Sequence, residues 1–274
     1  MAQITGIFAA SHTPVMLQFP EAIPVADREE IYAAFRETGK AIAASKPQAI
    51  VVFSDDHLHN FFLNNLPAIC IGAADQYPAP VEHWLKAEKR VLQGDAGLGA
   101  YLLSSALENG FDPSFSMELT LDHGVLTPLE LAGVARDVPV VPVLFNCVQP
   151  PMPTMRRCYQ FGDWLGRALR AYGALERVAI LATGGISHDL ATPRMGMVNE
   201  AFDREFLRLL EAADGAGAVT FAAERVHEAG NGAEEIRMWL AAMGCAEGRP
   251  FRTHYYRAVR DWYTGIALGS WASA

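Results

Sequence analysis

Hydrophobic residues along the chain alternate between short continuous runs and longer periodic stretches. The continuous runs are predicted to be buried strands, since strands covered on both faces are apolar throughout; they lie at residues 4–10, 49–53, 138–145 and 177–183. The periodic stretches carry apolar residues at spacings of three and four, which predicts helices; they lie at residues 26–45, 100–109, 158–172, 197–213 and about 233–243. Because strands and helices alternate, the sequence predicts a single α/β domain with a largely parallel central sheet flanked by helices.

The composition indicates the number of domains and excludes one class of partner. The 274 residues are 51% hydrophobic, which is enough for one sizeable core, and no repeat or low-complexity linker divides the chain. We therefore predict one domain over residues 1–274. The formal net charge of -9, with no run of basic residues, argues against a nucleic-acid partner, because neutralising phosphates needs clustered Lys and Arg.

Cellular location is predicted from what the sequence lacks. We find no signal-peptide pattern at the start and no apolar stretch long enough to span a bilayer, so we expect a cytoplasmic protein with no membrane partner. The four cysteines are scattered without a C-x-x-C pair, which favours buried, reduced thiols.

Three predicted strands end within a few residues of a histidine: His12, His57 and His188. In α/β sheets the ligand crevice lies outside the carboxyl ends of the strands, so neighbouring strands would bring these imidazoles together. A histidine after a strand is more often a capping or hydrogen-bonding residue when it stands alone. Three of them in this position favour a shared site.

The segment after the second strand is unusually polar for the end of a buried strand. It carries Asp55, Asp56, His57 and His59, and spacing alone does not choose between the two histidines. We favour His57, which lies nearer the strand end. We expect Asp56 to orient an imidazole from behind and Asp55 merely to cap a following helix.

A second Asp-His pair occurs at Asp122-His123, followed by Gly124. The glycine gives the backbone freedom to approach a ligand closely. The alternative is a turn that carries a surface histidine.

Two adjacent glutamates begin the last clear helix. Asn231 and Glu234 are spaced like a capping box, which gives Glu234 a structural role on the solvent side. At about 100° per residue, Glu235 instead lies on the flank of the apolar stripe, where a carboxylate needs a cation or hydrogen-bond donors. A glutamate that only favours the helix dipole is the alternative.

Histidines together with a carboxylate are a ligand set for a metal ion. Two histidines and one carboxylate with open positions are typical of non-haem Fe(II) sites that bind oxygen. Zinc hydrolases use the same ligand types with water as the nucleophile, so residue types alone leave both metals open.

Five motifs in order resemble the class III extradiol ring-cleavage dioxygenases, the family of protocatechuate 4,5-dioxygenase catalytic subunits and 2,3-dihydroxyphenylpropionate 1,2-dioxygenases. Each motif is weak alone, but their order is specific and covers nearly the whole chain. The motifs are Ser11-His-Thr-Pro, Asp55-Asp-His-Leu-His-Asn-Phe-Phe, Leu121-Asp-His-Gly-Val-Leu-Thr-Pro-Leu-Glu, Gly184-Gly-Ile-Ser-His and Glu234-Glu-Ile-Arg-Met-Trp.

The resemblance implies a role for each site residue. His12, His57 and Glu235 correspond to the iron ligands of the family. His188 corresponds to the histidine that takes the catechol proton, and His123 corresponds to a second active-site histidine that donates a proton in the later rearrangement. The family reaction opens the ring of a catechol-like compound beside the diol with O2.

The resemblance also implies a cofactor and partners. We expect Fe(II) as the cofactor, with a catecholic small molecule and O2 as substrates, and a single catalytic domain. We further expect a homo-oligomer. Some members of the family require a small helical partner subunit, and no segment of this chain resembles it, so a separate subunit stays open. The rival hypotheses are a metal-dependent hydrolase on the same ligands and a non-catalytic binding protein of the same fold.

Overall fold

A computed structural model describes residues 1–271 of the chain as an α/β fold built on one large sheet. The eight strands of this sheet run in the order β6-β3-β7-β2-β8-β1-β10-β9. Their bounds are β1 Gln3–Ala10, β2 Ala49–Asp55, β3 Ile69–Gly72, β6 Ser114–Ser116, β7 Val140–Phe145, β8 Arg177–Ala182, β9 Phe251–Val259 and β10 Thr264–Trp271. Strands β4 (Gln76–Ala79) and β5 (Arg90–Gln93) form a separate antiparallel pair.

Four parallel strands form the middle of the large sheet. Strand β8 pairs in parallel with β1 on one side and with β2 on the other, and β2 pairs in parallel with β7. All of β2 and β7 is buried; β7 is apolar throughout, and β2 is apolar as far as Phe53 before it ends in Ser54 and Asp55. The outer strands are mixed: β10 and β9 continue the sheet antiparallel beyond β1, and β3 is antiparallel to β7.

Helices cover both faces of the sheet, and each face has its own hydrophobic core. Helices α2 and α4 contribute to one core, and α3, α5, α6, α7 and α8 contribute to the other. The helix bounds are α1 Val15–Gln18, α2 Val25–Ala44, α3 Ala96–Glu108, α4 His123–Ala132, α5 Met155–Ala171, α6 Glu200–Glu211, α7 Gly215–Arg225 and α8 Ile236–Cys245.

Helices α5 and α8 pack at very short range. A Cβ atom at Gly162 would stand within van der Waals overlap of the backbone of Ala241, so only glycine fits at this crossing. Helix α8 also packs against strands β8, β1 and β2. The start of α8 is therefore held at the carboxyl edge of the central strands.

The predicted fold class is confirmed, as are the four strands and five helices predicted from the sequence. The antiparallel strands β9 and β10, and helices α4 and α7, were not predicted. Among residues 1–271, no helix combines the length and the hydrophobicity needed to cross a membrane. All four cysteines are free and buried, as expected.

Candidate metal centre

The strand order brings the three strand-end histidines to one edge of the sheet. Because β8 lies between β1 and β2, the residues that follow these strands are spatial neighbours. His12 comes two residues after β1, and His57 comes two residues after β2. Their ring centroids are 5.4 Å apart. His188, on the loop after β8, joins the same cluster.

Glu235 enters this cluster from a short 3-10 turn, Gly232–Glu235, which leads directly into α8. Its carboxylate is 4% exposed and lies among three imidazoles. One oxygen, Oε2, is 3.8 Å from Nε2 of His12. The other, Oε1, is 3.6 Å from Nε2 of His57 and 3.4 Å from Nε2 of His188. The predicted orientation of Glu235 into the interior therefore agrees with the structure.

The glycine pair after β8 contacts both His12 and Glu235 through its backbone. The amide of Gly184 donates a hydrogen bond to Nδ1 of His12 (2.9 Å), and the amide of Gly185 donates to Oε2 of Glu235 (2.6 Å). Gly184 has φ of +110°, and a Cβ atom there would collide with Cβ of Glu235. Glycine is thus needed for this close approach.

Burial and mutual charge shift the protonation of the cluster strongly. Burial raises the pKa of Glu235, but the neighbouring His188 and His12 outweigh it and leave that pKa well below its usual value. Burial lowers the pKa of His12 to about 3. Glu235 is therefore ionised and His12 neutral near pH 7, which are the forms that bind a metal ion.

Asp55 is a fourth group in the cluster, and the prediction that it merely caps a helix is wrong. It is the last residue of β2, the chain at residues 56–68 contains only turns and a bridge, and its Oδ2 lies 3.4 Å from Nε2 of His57. Its other oxygen is buried without a hydrogen-bond partner. Burial raises the pKa of Asp55 well above its usual value. The sequence feature that could have indicated a place for Asp55 in the site is an acidic residue at the end of a buried strand.

The sequence analysis predicted that Asp56 orients an imidazole from behind, and this prediction is wrong. The carboxylate behind His57 belongs to Asp122. Oδ2 of Asp122 accepts hydrogen bonds from the His57 backbone amide and lies 2.9 Å from its Nδ1. Asp56 instead accepts hydrogen bonds from the amides of residues 59–61 and so shapes its own loop. His59 lies 3.5 Å from Glu82.

His123 is the first residue of α4, whose N-terminus is capped by Asp122. It is 6% exposed, so the alternative of a surface histidine in a turn is wrong. Its Nδ1 lies 2.5 Å from Oε1 of Glu82, which also accepts a hydrogen bond from the His123 amide. Its ring centroid is 4.1 Å from that of His57. Glu82 escaped sequence analysis, because nothing in the local pattern relates it to a histidine 41 residues away.

His188 is held by its backbone as well as by its ring. Its Nδ1 lies 3.2 Å from the carbonyl oxygen of Ile186, so a proton on Nδ1 donates there and leaves Nε2 to face the cluster. Gly232 packs against the ring so closely that any Cβ atom would overlap Nε2. Burial lowers the pKa of His188, but Glu235 outweighs it and raises that pKa above its usual value.

The predicted cap at the start of α8 is wrong. Asn231 makes no capping hydrogen bond; its side chain exchanges two hydrogen bonds with the backbone of Leu190 instead. Glu234 forms an ion pair with Arg237. The 3-10 geometry of residues 232–235 explains the difference, because the expected spacing assumed a regular helix from its first turn.

A cavity of about 260 Å³ opens onto the cluster. Its inner end is formed by His12, His57, His123, His188 and Glu235. Its outer part is formed mainly by apolar side chains from three segments of the chain, near residues 14, 190 and 262. The site is therefore a polar, buried base reached through an apolar mouth, which is a common form of small-molecule site.

The residues at the base fit a metal ion. Ligand atoms of His12, Asp55, His57 and Glu235 all lie within 4.8 Å of one another, so one cation between them could reach several donors. A buried, ionised Glu235 and an unpartnered oxygen of Asp55 are the kind of groups that a cation satisfies. Nitrogen and oxygen donors suit iron, zinc and other first-row metals.

The fold and the site together define an α/β protein with a candidate metal centre of histidines and a carboxylate at the carboxyl edge of its sheet. Comparison with known families is more specific. Residues 6–266 match the model of the catalytic LigB subunit of aromatic ring-opening dioxygenase. The chain belongs to this family, and the resemblance stated from the motifs is confirmed.

Relatives of known name agree with the family. A 2,3-dihydroxyphenylpropionate/2,3-dihydroxicinnamic acid 1,2-dioxygenase of Burkholderia vietnamiensis is 32% identical, over 93% of this chain and 93% of the relative. An enzyme of the same name from Cupriavidus necator is 30% identical, over 94% and 95%. An uncharacterized protein of Escherichia coli K12 of known structure covers 97% of this chain and 99% of its own, with a TM-score of 0.64 at 13% identity, which shows the shared fold alone.

Proposed function

We propose that this protein is an Fe(II)-dependent extradiol dioxygenase that opens the ring of an ortho-dihydroxy aromatic compound with O2. The observation that carries the proposal is the buried cluster of His12, His57 and Glu235 at the base of a cavity that also exposes His123 and His188. Membership of the ring-opening dioxygenase family supports the same activity.

In this proposal His12, His57 and Glu235 hold the metal ion. When bound, Fe(II) supplies the redox chemistry that joins a diol ring to dioxygen. Asp122 fixes the ring of His57 from behind through Nδ1, which would leave Nε2 available to the ion. Asp55 contributes negative charge beside the same nitrogen when it is ionised.

His188 takes a proton from a catechol hydroxyl. Its ring lines the cavity with Nε2 3.4 Å from Oε1 of Glu235, and its Nδ1 is directed to a backbone carbonyl. Glu235 raises the pKa of this ring, and a metal ion bound to Glu235 would offset that effect and leave Nε2 to accept. An imidazole suits this step because its proton exchanges near neutral pH. His123 faces the cavity from another loop and donates a proton later in the reaction, with Glu82 holding its Nδ1.

The activity is tested with protein stripped of metal and reloaded without oxygen. Protein loaded with Fe(II) should consume O2 with a catechol and form a ring-opened chromophore, whereas protein loaded with Zn(II) should not. Activity should fade in air and return with a reductant and ferrous iron. Equal turnover with zinc would favour the hydrolase, and no O2 uptake at full iron loading would favour a binding protein.

Three further expectations belong to this proposal. We expect the catalytic unit to span residues 1–274, the protein to be cytoplasmic, and the chain to form a homo-oligomer. Sedimentation velocity of the purified protein tests the last of these. A single species at the mass of one chain would contradict self-association.

A further inference from the structure

The mouth of the cavity differs in chemistry from its base. Val15, Leu190, Met195 and Tyr263 line the outer part, and they come from three separate segments of the chain. Leu190 is 41% exposed and Met195 is 47% exposed, so these large apolar side chains stand at the entrance. Exposed apolar side chains around a cavity are typical of a surface that receives an apolar ligand group.

No lysine or arginine lines this cavity among the described residues 1–271. Arg194, which precedes Met195 in the chain, forms an ion pair of 2.6 Å with Asp189 and borders a neighbouring cavity. Arg260 is exposed and is not among the residues that line the cavity, although it lies close to Trp262 and Tyr263 in the sequence. A negatively charged group in the mouth would therefore lose water without gaining a cationic partner.

The net charge of the protein also disfavours a negatively charged ligand. The chain carries a formal net charge of -9, which disfavours the approach of anions. The relatives are named for substrates with a carboxylate on the side chain of the catechol ring. Within residues 1–271, the lining of the mouth includes no lysine or arginine that could pair with such a carboxylate.

We propose that the substrate of this protein is a catechol whose ring substituent is uncharged and apolar. This inference rests on the proposed function, because it takes the diol to lie at the histidine base. With the diol there, the substituent occupies the mouth between Leu190, Met195 and Tyr263. These three residues then determine specificity through apolar contact, and they take no part in the chemistry.

Three matched ligands separate charge from shape. They are 3-propylcatechol, 3-(2,3-dihydroxyphenyl)propionate and the uncharged 3-(2,3-dihydroxyphenyl)propanamide. Dissociation constants are measured by calorimetry without oxygen on iron-loaded protein, and kcat/KM is measured by O2 uptake. We expect 3-propylcatechol to exceed the propionate by about 10-fold or more in both quantities, with the propanamide between them.

Variants at the mouth test whether the absence of a cation causes the expected preference for 3-propylcatechol over the propionate. Leu190→Arg and Met195→Arg should each shift the ratio of propionate to 3-propylcatechol towards the propionate, by roughly 10-fold. Leu190→Gln is the matched control, since it adds polarity without charge and should not favour the propionate. Arg260→Ala should leave the ratio unchanged.

The results distinguish this inference from the proposed function. Equal or tighter binding of the propionate by the unaltered protein would overturn the apolar substituent, and loss of that binding in Arg260→Ala would identify the cation responsible. No O2 uptake with any of the three catechols would instead contradict ring cleavage. Even then, the order of the dissociation constants decides whether the cavity prefers an uncharged group.

Discussion

Two sides of the site present the same local arrangement with opposite effects on the imidazole. On one side His57 is backed by Asp122, and on the other side His123 is backed by Glu82; in each pair the carboxylate also accepts a hydrogen bond from the backbone amide of the histidine. Burial lowers the pKa of both rings. In His57, the carboxylates of Asp55 and Asp122 outweigh the effect of burial, and the pKa lies well above its usual value. In His123, the effect of burial prevails and the pKa stays lowered.

The difference arises in front of the rings. His57 faces Asp55 and Glu235, whereas His123 faces His57 and His12, whose rings are 4.1 and 5.4 Å away by centroid. A carboxylate behind an imidazole fixes its orientation and favours its protonated form in both pairs, so the difference between the two pKa values comes from the groups in front. The same backing thus orients two rings with different proposed roles, a metal ligand in His57 and a proton donor in His123; a metal ion at Nε2 of His57 would displace the proton that the carboxylates favour there.

Removing one of the three proposed metal ligands should have the largest effect on iron content and turnover. His12→Ala, His57→Ala and Glu235→Ala should each lose bound iron and nearly all turnover while the protein stays folded, since each removes one of the three proposed donors. Metal analysis and circular dichroism on the same samples measure this. His59→Ala is the control from the same loop, and it should keep its iron. Full iron occupancy in any one of the three would remove that residue from the centre.

Replacing the proposed acid and base should reduce turnover without removing the metal. His188→Gln should retain iron and bind catechol, yet lose about 10²–10⁴-fold in kcat, because an early proton transfer is slowed. In His123→Gln the early absorbance changes should persist while product formation lags. Stopped-flow absorbance under single turnover measures both. A near-normal rate for His188→Gln would leave that histidine with a structural or orienting role only.

Replacing Asp122 and Glu82, the carboxylates behind His57 and His123, by amides tests whether the two histidines have separate roles. Asp122→Asn should weaken iron binding by about 10–100-fold, because the ring of a metal ligand is no longer held by an anion. Glu82→Gln should leave iron affinity largely unchanged and lower kcat through His123. Competition with a chelator gives the affinities, and O2 uptake at saturating iron gives kcat. Equal effects of both substitutions on iron binding would mean that the two sides do not have separate roles.

The smallest effect on activity is expected at Glu234, the neighbour of Glu235. Its ion pair with Arg237 is mostly buried, so Glu234→Ala should lower the free energy of unfolding by about 1–2 kcal/mol and leave iron content and kcat largely intact. Denaturant unfolding measures this. Glu205→Ala removes an exposed pair at the same spacing and should change stability much less than Glu234→Ala does. A loss of turnover like that of Glu235→Ala would contradict the separation of the two glutamates.

The parts of the site that follow from periodicity were predictable from the sequence. Parallel strands end at one edge, so His12, His57 and His188 were expected to converge, and the phase of a helix directed Glu235 inward. The order of the strands was not predictable, because it depends on pairing between distant residues. The carboxylates behind the rings were assigned wrongly or missed for the same reason: Asp122 is 65 residues from His57, and Glu82 is 41 residues from His123.

The pairing of β8 between β1 and β2 has a consequence for the order in which the site matures. His12 and His57 follow two strands that are joined into one sheet only after residues 177–182 have been synthesised and inserted between them. Glu235 follows more than fifty residues later, so a nascent chain cannot assemble the proposed ligand set until most of the domain has emerged. Metal capture by this set is therefore a late event in biogenesis, and a bound ion stabilises only chains that have already closed the sheet.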